Sequence, residues 1–151
     1  MKTLAAHSMK HSLLDELAPP HLDELLKNAR EVQFAAGQVI LREGEPANRL
    51  YLIQSGKVVV ESPVRGGAPV PIETLGAGEV LGWSWLFPGF AWHFQARALE
   101  STRAIACDGA HLLVRAEEDH DFGYELMKRI TQVVIHRLQA TRKRLVQIEP
   151  V

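Results

Sequence analysis

"AAGQVILREGEPANRLYLIQSGKVVV", residues 35 to 60, decides the fold. The runs "QVILR", "RLYLIQ" and "KVVVE" are short, rich in β-branched or aromatic residues, and separated by Gly37, by the segment Gly44 to Pro46, and by Gly56. Runs of that length and composition read as strands, and the breaks between them as turns. The pattern extends outward on both sides. "VQF" precedes it, and beyond it "SPVRGGAP" carries two prolines and a Gly-Gly pair, a hairpin loop leading into "VPIETL". "FQARALE" and "TRAIACD" follow as two further strands joined at Ser101. Many short strands at near-regular spacing favour a closed or double-sheet antiparallel β architecture over an alternating α/β one.

Helices flank this body. Ser12 and Asp15 form a capping pair ahead of Leu13, Leu14 and Leu17, Pro19 is expected to end that turn, and Pro20 to begin a helix with Leu22, Leu25 and Leu26 on one face. After the strands, Asp108 is a good N-cap for "GAHLLVRAEED". Glu117, Glu118, Asp119 and Asp121 form an acidic run that reads as a solvated loop between helices. From about residue 122 to residue 148, Met127, Ile130, Val134, Leu138, Thr141, Leu145 and Ile148 recur at intervals of three or four. This near-heptad seam, flanked by Arg137, Arg142 and Arg144, predicts a long helix that pairs with a second copy. Packing on the chain's own β body is the alternative.

At 151 residues, with 46% hydrophobic and 23% charged residues, the chain has the size and composition of one globular domain spanning residues 1–151. No apolar run is long enough to cross a bilayer, and Met1 to Lys10 lacks the apolar core of a secretory signal, so a cytoplasmic location with no membrane partner is expected. A formal net charge of −1 provides no global attraction to nucleic acid. Cys107 is the single cysteine, which excludes an internal disulfide, and it reads as a small buried apolar residue. His7 and His11 have helix-face ligand spacing but no third ligand nearby, so no metal site is expected there. His21, His111, His120 and His136 read as surface or boundary residues.

The order helix, seven or eight strands, long helix, together with Gly37, Gly44, Glu45, Leu50, Tyr51, Ile53, Gly56 and Val58, resembles the cyclic-nucleotide-binding domain of catabolite-activator-type (CRP/FNR) proteins. The resemblance covers about residues 13 to 148. It implies a mainly β fold with flanking helices: an antiparallel double-stranded β-helix, or jelly roll, at about residues 30–108, followed by a C-terminal dimerisation helix at about 122–148. It also implies a regulatory, non-enzymatic role, in keeping with the absence of any hydrolase elbow or phosphate-loop motif in the sequence. The family's transcription factors continue into a helix-turn-helix domain; this chain runs only to Val151, so no sequence-specific DNA binding is expected of it.

Within that resemblance, Gly78 to Ala98, "GEVLGWSWLFPGFAWHFQARA", corresponds to the phosphate-binding cassette. Gly78, Glu79, Leu81, Gly82, Leu86 and Phe87 keep its frame, in which backbone amides at a short helix face an anion. Its chemistry is altered. Trp83 stands where the family has the glutamate that holds the ribose, His93 where it has the arginine that neutralises the phosphate, and Phe94 where it has a serine or threonine. Exchanging a permanently charged bidentate fork for an imidazole removes a contact of about 1.5–3 kcal/mol, about tenfold to a hundredfold in affinity. Cyclic AMP binding is therefore expected to be weak, or replaced by another small ligand.

The candidate ligand-binding residues are Gly82, Trp83, Ser84, Trp85, His93, Phe94, Arg97 and Thr141. Thr141 matches the terminal-helix threonine that contacts adenine in members binding cyclic AMP. Arg97 lies on the same strand face as His93 and Gln95, within reach of a shifted ligand. Ser84 offers a hydroxyl to an anion. The rings of Trp83, Trp85, Phe87, Phe90, Trp92 and Phe94 either line an apolar effector pocket with His93 as its polar or metal contact, or fill the hollow a nucleotide would occupy, leaving the roll as a scaffold for a protein partner.

Overall fold

The computed structural model describes residues 17–83, 91, 92 and 94–148. Among these the chain forms α1 (Pro19–Leu26), β1 (Arg30–Phe34), β2 (Val39–Leu41), β3 (Arg49–Ser55), β4 (Val58–Ser62), β5 (Val70–Leu75), β6 (Val80–Leu81), β7 (Gln95–Ala98), β8 (Thr102–Asp108), α2 (Gly109–Glu118) and α3 (His120–Ile148). The strands make two four-stranded sheets, β1-β8-β3-β6 and β2-β7-β4-β5, paired antiparallel throughout. This is the double-sheet antiparallel architecture that the strand pattern predicts, and the mainly β jelly roll with a terminal helix that the resemblance implies.

The unbroken apolar run of β3 is explained by burial on both of its faces. Successive strand residues point to opposite sides of a sheet. Leu50 and Leu52 accordingly join the cluster under the helices, with Leu25, Ile105, Leu112 and Phe122. Tyr51 and Ile53 enter the core between the sheets, with Val58, Leu81, Trp92 and Ala96. The strand thus sits between two apolar layers, and each buried leucine stabilises the fold by about 1.5–3 kcal/mol relative to exposure.

The helix boundaries differ from the sequence expectation in two places. Pro19 does not end a turn but opens α1, because the amides of a first helical turn have no intrahelical acceptor and a missing N–H costs nothing there. The Ser12–Asp15 capping pair lies outside the described residues. The acidic run is not a loop. Glu117 and Glu118 finish α2, and the Asp119 carboxylate accepts from the amides of Asp121 (3.1 Å) and Phe122 (3.2 Å), so one residue ends one helix and caps the next. Gly123 lets α2 and α3 meet closely, since a Cβ there would lie 2.5 Å from the Ala116 carbonyl oxygen. Asp108 caps α2 as expected, accepting from Ala110 and His111.

Packing divides α3 in two. Phe122, Leu126 and Ile130 are buried against the roll, with Val133 partly buried beside them. Beyond that point the seam faces outward. Val134 is partly exposed, and Leu138 and Leu145 are each 58% exposed. Ile130 therefore packs on the chain's own body, whereas Leu138 and Leu145 do not.

Candidate functional site

The cassette begins where β5 turns back into β6. The turn is closed by the Glu79 amide donating to the Gly76 carbonyl (3.1 Å), while a Glu79 carboxylate oxygen accepts from the Gly76 amide (3.2 Å). Gly78 donates to the Ile53 carbonyl (2.9 Å), pinning the turn to β3. Gly82 follows β6 at φ +89°, and a Cβ at that position would lie 2.7 Å from the Arg49 carbonyl oxygen and 2.9 Å from the Trp92 ring. Only glycine satisfies both the left-handed backbone and the close approach. The frame read from the sequence is thus physically required at this point.

Trp83, the next residue, leaves the strand and packs partly buried against the helical core. The Arg137 guanidinium of α3 lies over its ring at 4.5 Å, within cation–π range. Arg137 Nε is also 3.6 Å from a Glu73 carboxylate oxygen on β5. Glu73 pairs in register with Val60, whose side chain is buried between the sheets, and residues directly opposite one another share a face. The inner face of β5 thereby presents an acid to α3. Burial holds the Arg137 guanidinium below its usual pKa, with the Glu73 and Glu79 carboxylates acting in the opposite direction.

Between β5, the Gly78–Val80 turn and α3 lies a cavity of about 620 Å³. Leu75, Val80, Val133 and Ala140 form its apolar wall, and Arg129, His136, Arg137 and Arg144 approach it from α3. Its size lies within the roughly 300–1,000 Å³ typical of ligand pockets. Arg129 is itself bound to Glu125 (3.0 Å) and Gln132 (3.1 Å) along the helix.

The structure separates the residues singled out from the sequence. Gly82 and Trp83 stand at the mouth of the cassette. Phe94 is partly buried on the core between the sheets, its ring 6.0 Å from that of Trp92. Arg97 points the other way. Its neighbours Ala96 and Ala98 are buried, so Arg97 lies on the opposite face of β7. There its Nε and Nη2 each lie 3.1 Å from the Glu61 carboxylate, which is 4% exposed. Thr141 is exposed on α3, one residue beyond Ala140 of the cavity wall. Ser84, Trp85 and His93 lie outside the described residues.

Three residues of this region were not recognised in the sequence as parts of a site: Glu61, Glu73 and Arg137. Both glutamates follow apolar strand residues, but only strand pairing shows which face each occupies. Arg137 is one of several cations flanking the seam. Nothing in the spacing distinguishes it from Arg142 or Arg144.

His21 packs edge-on to Phe122 at 5.8 Å, and His111 Nε2 is 3.4 Å from Glu24, which also receives Arg115. Cys107 is buried in β8, and burial pushes its thiol up to about 12, far from the depressed value of a reactive cysteine. Among the described residues no group of three His, Cys, Asp or Glu side chains is placed to hold a metal ion, and no helix is long and apolar enough to cross a membrane.

The family model for the cyclic nucleotide-binding domain matches residues 31–119. A CRP-like cAMP-activated global transcriptional regulator of Mycobacterium tuberculosis is 25% identical over 130 residues, covering 86% of this chain and 56% of that protein. The chain thus spans about half the length of this curated relative. A cyclic nucleotide-binding domain from Methylobacillus flagellatus superposes with a TM-score of 0.78 at 18% identity, covering 89% of this chain and 76% of that one. The Thermus thermophilus catabolite activator protein superposes with a TM-score of 0.70 at 24% identity, covering 91% and 62%. Both structural likenesses are likenesses of fold.

Proposed function

We propose, from the premise that this chain belongs to the cyclic nucleotide-binding domain family, that it is a non-enzymatic cytoplasmic module which senses a small ligand and passes the signal to a protein partner. The observation that carries the reading is the cavity of about 620 Å³ between the first residues of the cassette and α3. A ligand there touches the roll and the terminal helix together, so any difference in its affinity for two positions of α3 shifts their populations. Gly82, Trp83, Ser84, Trp85, His93, Phe94, Arg97 and Thr141 remain the proposed ligand-side residues, with Arg97 the weakest of them because Glu61 engages it.

The ligand is a cyclic nucleotide bound weakly, or another small molecule. Trp83 and His93, standing where the family has a glutamate and an arginine, support weak cyclic-nucleotide binding. The outward stripe of Met127, Val134, Leu138 and Leu145 supports homodimerisation through α3, with Thr141 as the polar interruption of the seam. Titration calorimetry with cyclic AMP and cyclic GMP tests the sensing role. Dissociation constants of about 10 μM or weaker are expected, and submicromolar binding of either would show that the altered cassette keeps its full chemistry.

A second reading has one observation in its favour. Trp92 and Phe94 pack into the core between the sheets, which supports a roll closed by its own rings and serving as a scaffold for assembly. Titration of the unaltered chain with apolar aromatic probes separates the two readings: an open pocket binds them, whereas a roll filled by Trp92 and Phe94 does not until Trp92→Ala leaves a cavity.

A further inference from the structure

We infer that the negative charge of the sensed ligand is held by Arg137 of α3 and not by the cassette strand, so that the cavity takes an anion carried on an apolar body; this deepens the sensing role proposed above. In β7 the arginine is Arg97, and its guanidinium is already neutralised by the buried Glu61 carboxylate on the outer face of the sheet. Position 93 carries a histidine. The chain therefore lacks an uncommitted permanent cation on that strand.

Arg137 is placed differently. Its side chain is only 15% exposed, yet among the described residues its ion pair, to Glu73, is long at 3.6 Å, and its Nη2 is buried with no hydrogen-bond partner. A buried charged donor left unpaired is costly, and a ligand oxygen would relieve that cost. The guanidinium carbon lies over the Trp83 ring at 4.5 Å, and a ring offers no acceptor oxygen, so the guanidinium N–H groups keep donor capacity for an anion. The surroundings fit the same chemistry. Leu75, Val80, Val133 and Ala140 provide apolar contact. Arg129 and Arg144 add positive charge against the two carboxylates of Glu73 and Glu79, and Glu79 also accepts from the Gly76 amide of its own turn. A carboxylate or phosphate on a planar or aliphatic body matches this combination; a neutral apolar molecule leaves Nη2 unsatisfied.

The test is titration calorimetry of the whole chain with cyclic AMP, 2-naphthoate and the neutral 2-naphthamide, repeated for Arg137→Met and Arg137→Lys. Methionine keeps the apolar stem without the charge; lysine keeps the charge without the planar fork. Expected is binding of at least one anion, with naphthoate at least tenfold tighter than the amide if the ligand is an organic acid, or cyclic AMP tighter than both if it is a nucleotide. Arg137→Met then weakens the anion at least tenfold and leaves the amide unchanged, and Arg137→Lys falls between. In His136→Gln, which removes the histidine lining the cavity itself, anion affinity at pH 6 and pH 8 is expected to agree within about twofold because arginine stays charged; a site built on His93 would still bind more tightly at pH 6.

Undiminished anion binding by Arg137→Met overturns the inference and leaves the sensing role standing, and so does equal binding of naphthoate and amide when cyclic AMP binds no tighter than either. Absence of binding by all three probes at millimolar concentration overturns both. Should the methionine variant fail to fold, the lysine variant and the pH comparison decide alone.

Discussion

Replacing Arg97 with methionine is expected to damage stability far more than ligand binding. Glu61 is 4% exposed and its carboxylate takes both Nε and Nη2 of Arg97 at 3.1 Å. Removing one member of a buried ion pair typically costs about 3–5 kcal/mol, mainly because the remaining charge stays buried without a partner. Arg97 is itself 38% exposed, so water reaches its end of the pair and the value is discounted to about 2–3 kcal/mol. For a chain of this length that corresponds to a fall in melting temperature of about 5–10 °C. Neutralising the acid as well, in Glu61→Gln/Arg97→Met, is expected to recover most of the loss, leaving about 1 kcal/mol for an imperfectly bonded buried amide. Thermal unfolding of both single variants and the double variant completes the cycle. Calorimetry on Arg97→Met, held well below its melting point, supplies the functional half. An Arg97→Met protein with unchanged stability but at least tenfold weaker ligand binding would refute this account and restore Arg97 to the pocket.

The other predictions concern the frame of the site and its assembly. Gly82→Ala places a methyl 2.7 Å from the Arg49 carbonyl oxygen at a left-handed φ and is expected to cost at least about 2 kcal/mol; a denaturant midpoint equal to that of the parent would show that the turn adapts. Leu138→Glu, on the 58% exposed seam, is expected to convert a dimer to a monomer in sedimentation, and an unchanged sedimentation coefficient would remove α3 as the interface. Cys107 is protonated in the native state up to about pH 12, so the thiol should resist a disulfide reagent at pH 8 until the chain unfolds. The same shift has a stability consequence. Its contribution is fully present below the unfolded-state pKa of 9.0 and is lost as pH rises toward 12, at about 1.4 kcal/mol per pH unit. A stability curve that stays flat across that alkaline range in the parent but not in Cys107→Ala would contradict this.

Composition and local pattern determined a good deal by themselves. The short apolar run from Leu50 to Ile53, the turns at Gly37, Gly44 and Gly56, and the capping chemistry of Asp108 define strands and helix starts through contacts between near neighbours, which a linear string records. The cassette frame came from the family resemblance; Gly78 and Gly82 both sit at positive φ, and the close approach of Arg49 and Trp92 to Gly82 is a tertiary contact. What the string left open are properties of register and packing. Whether Arg97 or Arg137 faces a cavity depends on which side of β7 and of α3 each occupies. That is settled only when Ala96 and Ala98 bury the opposite face of the strand and Val60 aligns Glu73 toward the helix. Likewise the seam of α3 read as one stripe, yet Ile130 is buried on the roll while Leu138 is exposed, because the side of α3 turned to the roll runs through Ile130, Val133, Arg137 and Ala140 and leaves Leu138 on another side. Charge placement between elements distant in sequence arises from tertiary contact, and only the folded chain brings Glu73, Trp83 and Arg137 together.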